Sequence, residues 1–319
     1  MTLSRILPAL MALAVSLPSQ ALEAECIVPS KPGGAMDLTC KLAKKALLAQ
    51  PEARRMKLSY MPGGIGAVAW HTLVSQRAAE PDTLVAFSGG SLLNLAQGKF
   101  GKATANDVRW VAAVGADYGI IAVGANSPYH NLRELFDAMR RAPQDVLIGV
   151  SGTIGSQDWL KMALLAQRAG IDPKQLRFVA LEGGGESFTA MQAGFVQVVS
   201  GDASEAGLYA GEGKVRILAV LAEKRLPGRL KDVPTAREQG IDVVWPLIRG
   251  VWMGPKVTEA DYRRWVAAFE RIEAAPEFAA MRAEAGLYPF SLTGDALTKH
   301  IKQAVSDYNR QAQAFHLVR

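Results

Sequence analysis

Cysteine and histidine are scarce in this chain of 319 residues, with two of the first and four of the second. The histidines, His71, His130, His300 and His316, lie far apart and in no metal-ligand spacing, and the cysteines, Cys26 and Cys40, are not spaced as a zinc pair. There is no His-Glu-x-x-His and no Gly-x-Ser-x-Gly, and no glycine-rich turn runs into Gly-Lys-Ser/Thr. Local signatures of a metalloprotease, a nucleophile elbow and a P-loop are therefore missing, and no cofactor or metal is expected. A catalytic set assembled across the fold stays open, for example His71 with Ser88 or Ser91 in an exported hydrolase. The formal charge is +6, yet no run of Lys and Arg exceeds a pair, so the basic excess leaves no footprint for nucleic acid. It suits small anions instead.

Long apolar runs are missing too. Ile6 to Leu17 is uncharged and apolar but shorter than the roughly 20 residues a spanning helix needs. With Arg5 before it and Pro18-Ser19-Gln20-Ala21 after it, residues 1–21 have the order of a secretory signal peptide, cleaved after Ala21 or, as a second choice, after Ala24. A membrane anchor or a buried N-terminal helix competes, and the lack of a following stop-transfer segment counts against it. Glu23 and Glu25 count against lipid attachment at Cys26. Export to the periplasm is the expectation, and it removes only Arg5 from the charge, taking +6 to +5.

An oxidising compartment turns two cysteines into an expected disulfide, Cys26 to Cys40, with two unpaired buried thiols as the alternative. In the chain-entropy model such a loop stabilises the fold by about 3 kcal/mol.

Half of the chain is apolar, and its length allows two domains or one large one. Short apolar runs alternate with helix-period segments: Ile27-Val28, Val85 to Phe87, Ile120 to Val123, Val146 to Val150, Phe178 to Ala180 and Ile217 to Leu221 read as strands between amphipathic helices. That alternation predicts an α/β protein with mostly parallel sheets. Glu259 to Ala275, Pro276 to Ala285 and Gly294 to Phe315 read as three helices with no strand between them. No linker stands out, so two domains would be joined by ordered crossings near Ile120–Val123 and Trp245–Pro255.

Glycine-rich turns sit at the strand-to-helix junctions. Pro32-Gly33-Gly34 leads into a helix expected near Asp37, and Ser151-Gly152-Thr153-Ile154-Gly155-Ser156 leads into the one carrying Trp159. Each exposes backbone N–H groups at the positive end of a helix, where an anion can approach closely. Two such ends suit a carboxylate at either end of a small molecule. Pro62-Gly63-Gly64 and Gly183-Gly184-Gly185 are turns of the same kind. Any one of them also serves simply as a tight connection.

The order "VPSKPGGAMDLTCKLAKKAL", "LSYMPGGIGAVAW", "IGVSGTIGSQDWL", "VALEGGGESFTAMQAGFVQVVSGD" and "LAVLAEKRLPGRLKDVPTAREQG" resembles the substrate-binding proteins of tripartite tricarboxylate transporters, the TctC-like or Bug family. The resemblance runs from about Cys26 to the C-terminus. It implies a two-lobed periplasmic binding protein of type II, a Venus flytrap with a mostly parallel sheet flanked by helices in each lobe. Lobe 1 would be residues 22–122 and 247–319, and lobe 2 residues 123–246. It further implies a small organic acid ligand, delivery to a large and a small membrane permease subunit, and no enzymatic activity; a monomer is expected because the lobes must move freely. A sensor accessory to a membrane histidine kinase is the variant that sequence does not separate from transport.

Carried over by position, the resemblance places Gly33, Gly34, Ala35 and Asp37 in the ligand loop of lobe 1, with Pro62, Gly63, Gly64, Ser88 and Gly89 beside it. Ser151, Gly152, Thr153 and Ser156 form the carboxylate loop of lobe 2, and Gly183, Gly184, Gly185 and Asp202 the far wall. Trp159 stands where relatives commonly have histidine. The cysteines around Pro-Gly-Gly look like the branch associated with citrate and related tricarboxylates. Arg249 and Lys31 are then candidate cations for a third carboxylate, each with a solvated surface charge as the plainer reading.

Overall fold

Several strands are buried along their whole length and not at alternate positions, as a sheet covered by helices on both faces requires. The computed structural model describes residues 23–51, 55–210 and 213–317. The expected signal peptide lies outside the described residues. The chain runs β1 (Ala24–Val28), α1 (Ala35–Leu48), β2 (Met56–Tyr60), α2 (Ala67–Ser75), β3 (Thr83–Phe87), α3 (Gly89–Ala96) and β4 (Arg109–Gly124). It continues through α4 (Leu132–Arg141), β5 (Leu147–Ser151), α5 (Gln157–Arg168), β6 (Arg177–Leu181), α6 (Gly184–Gln192), β7 (Val198–Asp202), α7 (Ala203–Ala210) and β8 (Val215–Val220). It returns through β9 (Pro246–Met253), α8 (Glu259–Ala274), α9 (Pro276–Glu284), β10 (Leu292–Thr293) and α10 (Gly294–Ala314). The two-residue β10 is a strand where the sequence pattern has none; it pairs with Ala112 and Ala113 and is too short to carry a periodicity.

The fold is two-lobed. In the first sheet the order is β2-β1-β3-β9-β4, and in the second β4-β7-β5-β6, with β8 also on β4. The β1, β2 and β3 ladders are parallel, as are those of β5, β6 and β7, while the crossing strands β4 and β9 pair antiparallel with their neighbours. β4 belongs to both sheets: Arg109 to Tyr118 pairs with β9, and Gly119 onward pairs with β7 and β8. The change of partner thus falls between Tyr118 and Gly119, before the expected boundary at 122/123. The second crossing lies beside the first, since Tyr118 pairs with Pro246 and Gly119 N–H donates to Trp245 O at 3.0 Å. Gly119 has a packing reason: a Cβ there would sit 2.5 Å from Lys161 Cδ.

Each sheet has an apolar cluster on either face. In lobe 1, α1, α8 and α9 cover one side with Leu42, Trp265 and Phe278, and α2, α3 and α10 the other with Trp70, Leu92 and Ile301. In lobe 2 the corresponding clusters are built around Leu135 and Leu160 and around Phe188 and Ala206. α10 does not stay with lobe 1. Its start packs Leu297 and Ile301 into lobe 1, but Ala312, and just past its end Phe315 and Leu317, join the lobe 2 cluster, with Phe315 edge-on to Trp159.

Cys26 and Cys40 form a disulfide, with Cα atoms 5.7 Å apart, linking β1 to α1. Because α1 begins at Ala35, Cys40 lies in its second turn and not its first.

Candidate ligand site

The carboxyl ends of β1, β3, β5, β6 and β7 face one another across the gap between the lobes, where helix N-termini gather unsatisfied N–H groups. They enclose a cavity of about 320 Å³. Of the expected residues, Gly34, Ala35, Gly64 and Ser88 line it from lobe 1, and Ser151, Gly152, Thr153, Gly183, Gly184 and Asp202 from lobe 2, with Arg249 at the crossing.

The others stand back from it. Asp37 is fully buried and organises the turn: it accepts from Gly33 N–H at 2.8 Å, Lys41 Nζ at 2.7 Å and Tyr60 Oη at 2.9 Å. Gly33 and Gly185 touch across the rim, a Cβ on Gly185 falling 3.0 Å from Gly33 C. Pro62 and Gly63 precede the cavity wall, and Gly89 packs against Leu247 and Tyr308. Ser156 caps α5 by accepting from Trp159 N–H at 3.3 Å. Trp159 itself is a core residue, packed on Phe178 and Phe315. Lys31 is half-exposed and bridges to Glu186 on the opposite lobe at 3.0 Å, outside the cavity wall.

Arg249 is neither a solvated surface charge nor an uncommitted one. It is 2% exposed, donates to Asp117 Oδ2 at 2.9 Å, and also pairs with Asp202. Lys161, fully buried, donates to Asp202 Oδ1 at 2.6 Å and stands 2.7 Å from Asp158 Oδ1 as an ion pair lacking hydrogen-bond alignment. Burial works to raise the Asp202 carboxyl, but Lys161 and Arg249 outweigh it and hold it below the ordinary value. Burial prevails for Asp117 and Asp158, which are raised.

Sequence reasoning stopped at Asp202 and missed Glu205, three positions on in "GDASE". Glu205 is 5% exposed, and its Oε1 accepts from Ala35 N–H at 2.7 Å, so a carboxyl of lobe 2 caps the first amide of α1 in lobe 1. Burial, and then the Asp202 charge, push it up to about 8. Gly184 makes room for it, since a Cβ there would lie 1.9 Å from Oε2. Ser30, Asn94, Lys99 and Gln157 also line the cavity; none is among the expected residues, although Ser30 and Gln157 lie in two of the stretches that carry the resemblance. Gln157 donates from Nε2 to Asp202 Oδ2 at 2.9 Å, and its Oε1 is buried without a donor.

The lobes touch around the rim. Gln97 Nε2 donates to Gly155 O at 2.7 Å, and Ile65 packs against Gly152. Ser88 and Ser91 close a capping box on α3, His71 is exposed on α2, and no histidine lines the cavity among the described residues. A serine–histidine pair is not assembled there.

The family model of the tripartite tricarboxylate transporter family receptor matches residues 66–317. Among solved structures, MatC from Rhodopseudomonas palustris with bound malate is 20% identical over 91% of this chain and 98% of its own, with a TM-score of 0.78. The periplasmic binding protein BugD is 17% identical over 93% and 98%, with a TM-score of 0.82. An R. palustris protein with adipate is 18% identical over 91% and 96%, also with a TM-score of 0.82. At these identities the likeness speaks to the fold. No curated protein matches.

Proposed function

Because the chain belongs to the tripartite tricarboxylate transporter family of receptors, we propose that it is a periplasmic solute-binding protein. It captures a small organic acid between its lobes and presents it to large and small membrane permease subunits, as a monomer. The observation that carries this reading is the cavity of about 320 Å³ that lies between two lobes and is walled by the first residues of α1, α3 and α6 and by the Ser151–Thr153 loop. A site made of helix ends, hydroxyls and bridging water holds a carboxylate by neutral dipoles and releases it when the lobes part. The bound malate and adipate of two structural relatives support the same ligand class.

Within that class the charges favour an acid smaller in charge than citrate. Arg249 and Lys161 are committed to Asp117, Asp158 and Asp202, so neither is left to meet a third carboxylate. Lys99, half-buried beside Gly155, brings a positive charge to the cavity wall.

A thermal-shift screen of di- and tricarboxylates, amino acids and aromatic acids tests the reading. A ligand at a hundred times its dissociation constant stabilises the folded state by about 2.7 kcal/mol, a clear rise in melting temperature. A screen in which no small acid moves the transition refutes it.

A further inference from the structure

The two glycine-rich helix ends suit a molecule with a carboxylate at each end, but in the folded chain they are not equivalent. At the α1 end Gly33 N–H is taken by Asp37, and Ala35 N–H by Glu205. The seat in which an anion would rest is filled by the protein's own carboxyl. Around it the polarity is inverted: Asp202 and Glu205 are both in the cavity wall, with Asp117 and Asp158 buried behind, and the cations facing this cluster are Arg249 and Lys161. Two cations stand against four carboxyls at that end; burial first, and then the Asp202 charge, push Glu205 up. Independently, Gln157 in the same wall is 7% exposed and keeps an acceptor oxygen with no donor. A buried acceptor without a partner is destabilising, and a ligand donor removes that cost.

We propose that Glu205 is a specificity-determining residue: it occupies the α1 anion seat so that the ligand turns a hydrogen-bond donor, an ammonium or a hydroxyl, toward Glu205, Asp202 and Gln157. The ligand's carboxylate goes to the other end, at the Ser151–Thr153 loop. This rests on the reading of the chain as a small-acid receptor and narrows it to hydroxy or amino acids over unsubstituted ones. Gly184 is part of the device, because any side chain there would expel the Glu205 carboxyl from its place.

Isothermal titration at pH 9, above the value of about 8 so that Glu205 is ionised and can only accept, decides it with two series: succinate, malate and aspartate, which share a four-carbon frame, and tricarballylate against citrate, which differ by one hydroxyl. In whichever series binds, the donor-bearing member is expected to bind at least tenfold more tightly than the unsubstituted one. Glu205→Gln, which replaces an acceptor by a donor, is expected to shrink that ratio to within threefold while the unsubstituted acid holds or gains. Equal affinity of succinate with malate and aspartate, or of tricarballylate with citrate, overturns the inference and leaves the receptor reading standing. No binding in either series overturns the inference, and the receptor reading falls with it only when the wider thermal-shift screen of small acids also finds no ligand. The wild-type series needs no variant, so a misfolded Glu205→Gln does not spare the proposal.

Discussion

Ala35 N–H, on the first residue of α1, donates at 2.7 Å to Glu205 Oε1 on the opposite lobe. A helix end that would otherwise attract an anion is therefore closed by the chain itself, and the bond exists only while the lobes are together. Closure, specificity and protonation of the cleft meet at one contact.

The first prediction concerns pH. Glu205 takes up its proton near 4.5 in the unfolded chain and near 8 in the folded one. Between those values the folded state binds more protons, so this carboxyl's contribution is fully present below about 4.5 and is lost as pH rises through about 8. Glu273, pushed up to about 7 by burial, titrates in the same window, but it does so in wild type and variant alike. Urea unfolding of wild type and Glu205→Gln at pH 5, 7 and 9 should show wild type losing stability more steeply. Parallel profiles would mean that Glu205 is ionised in the fold.

A second prediction concerns the crossing. Arg249 neutralises two buried carboxyls, one on β4 and one on β7, where the chain passes between lobes. Arg249→Met keeps most of the volume and strands Asp117, while Asp202 keeps Lys161 and Gln157, and breaking a buried pair in this way costs about 3–5 kcal/mol. Adding Asp117→Asn should recover part of the loss. A single variant within about 1 kcal/mol of wild type in urea unfolding would show that the pairing adds nothing to stability.

Gly184 and Glu205 give a third, read as a double-mutant cycle. Alanine at 184 is otherwise well suited to the first turn of a helix, by roughly 1 kcal/mol over glycine. Its Cβ nevertheless collides with Glu205 Oε2. Gly184→Ala should weaken ligand affinity in wild type and have little effect in a Glu205→Ala background, the non-additivity expected of residues in contact. Additive losses would place the action of Gly184 elsewhere.

Much of this architecture was legible in the residues. Uniformly apolar runs such as Val85–Phe87 and Ile217–Leu221 announced strands covered on both faces, and the glycine-rich turns announced which strand ends meet at the cleft. β2, with the pattern Met56-Lys57-Leu58-Ser59-Tyr60, was not announced, because an edge strand needs no unbroken apolar run. The resemblance places the C-terminal end in lobe 1, but Ala312 at the end of α10 and Phe315 and Leu317 just beyond it pack on the lobe 2 cluster. Several cavity-lining residues on glycine turns, Gly34, Gly64, Gly152, Gly183 and Gly184, are legible because a turn marks its own backbone donors. Gln157 and Glu205 are not, since a polar residue in a helix looks solvated until the fold supplies what buries it.

The last prediction concerns the bridge. Cys26 and Cys40 are both fully buried, and the loop they close contains Gly33, Gly34 and Ala35, the turn whose amides hold Asp37 and Glu205. Replacing both with alanine should lower stability by about 3 kcal/mol through the unfolded chain. If the bridge also fixes the turn before ligand arrives, the folded variant should bind several-fold more weakly, because ordering that turn then has to be achieved on binding. Calorimetry on the double variant at a temperature where circular dichroism shows it folded separates the two effects. Lower stability with unchanged affinity would make the bridge a staple for β1 and α1, and a parallel loss of both would tie it to the Ala35–Glu205 contact.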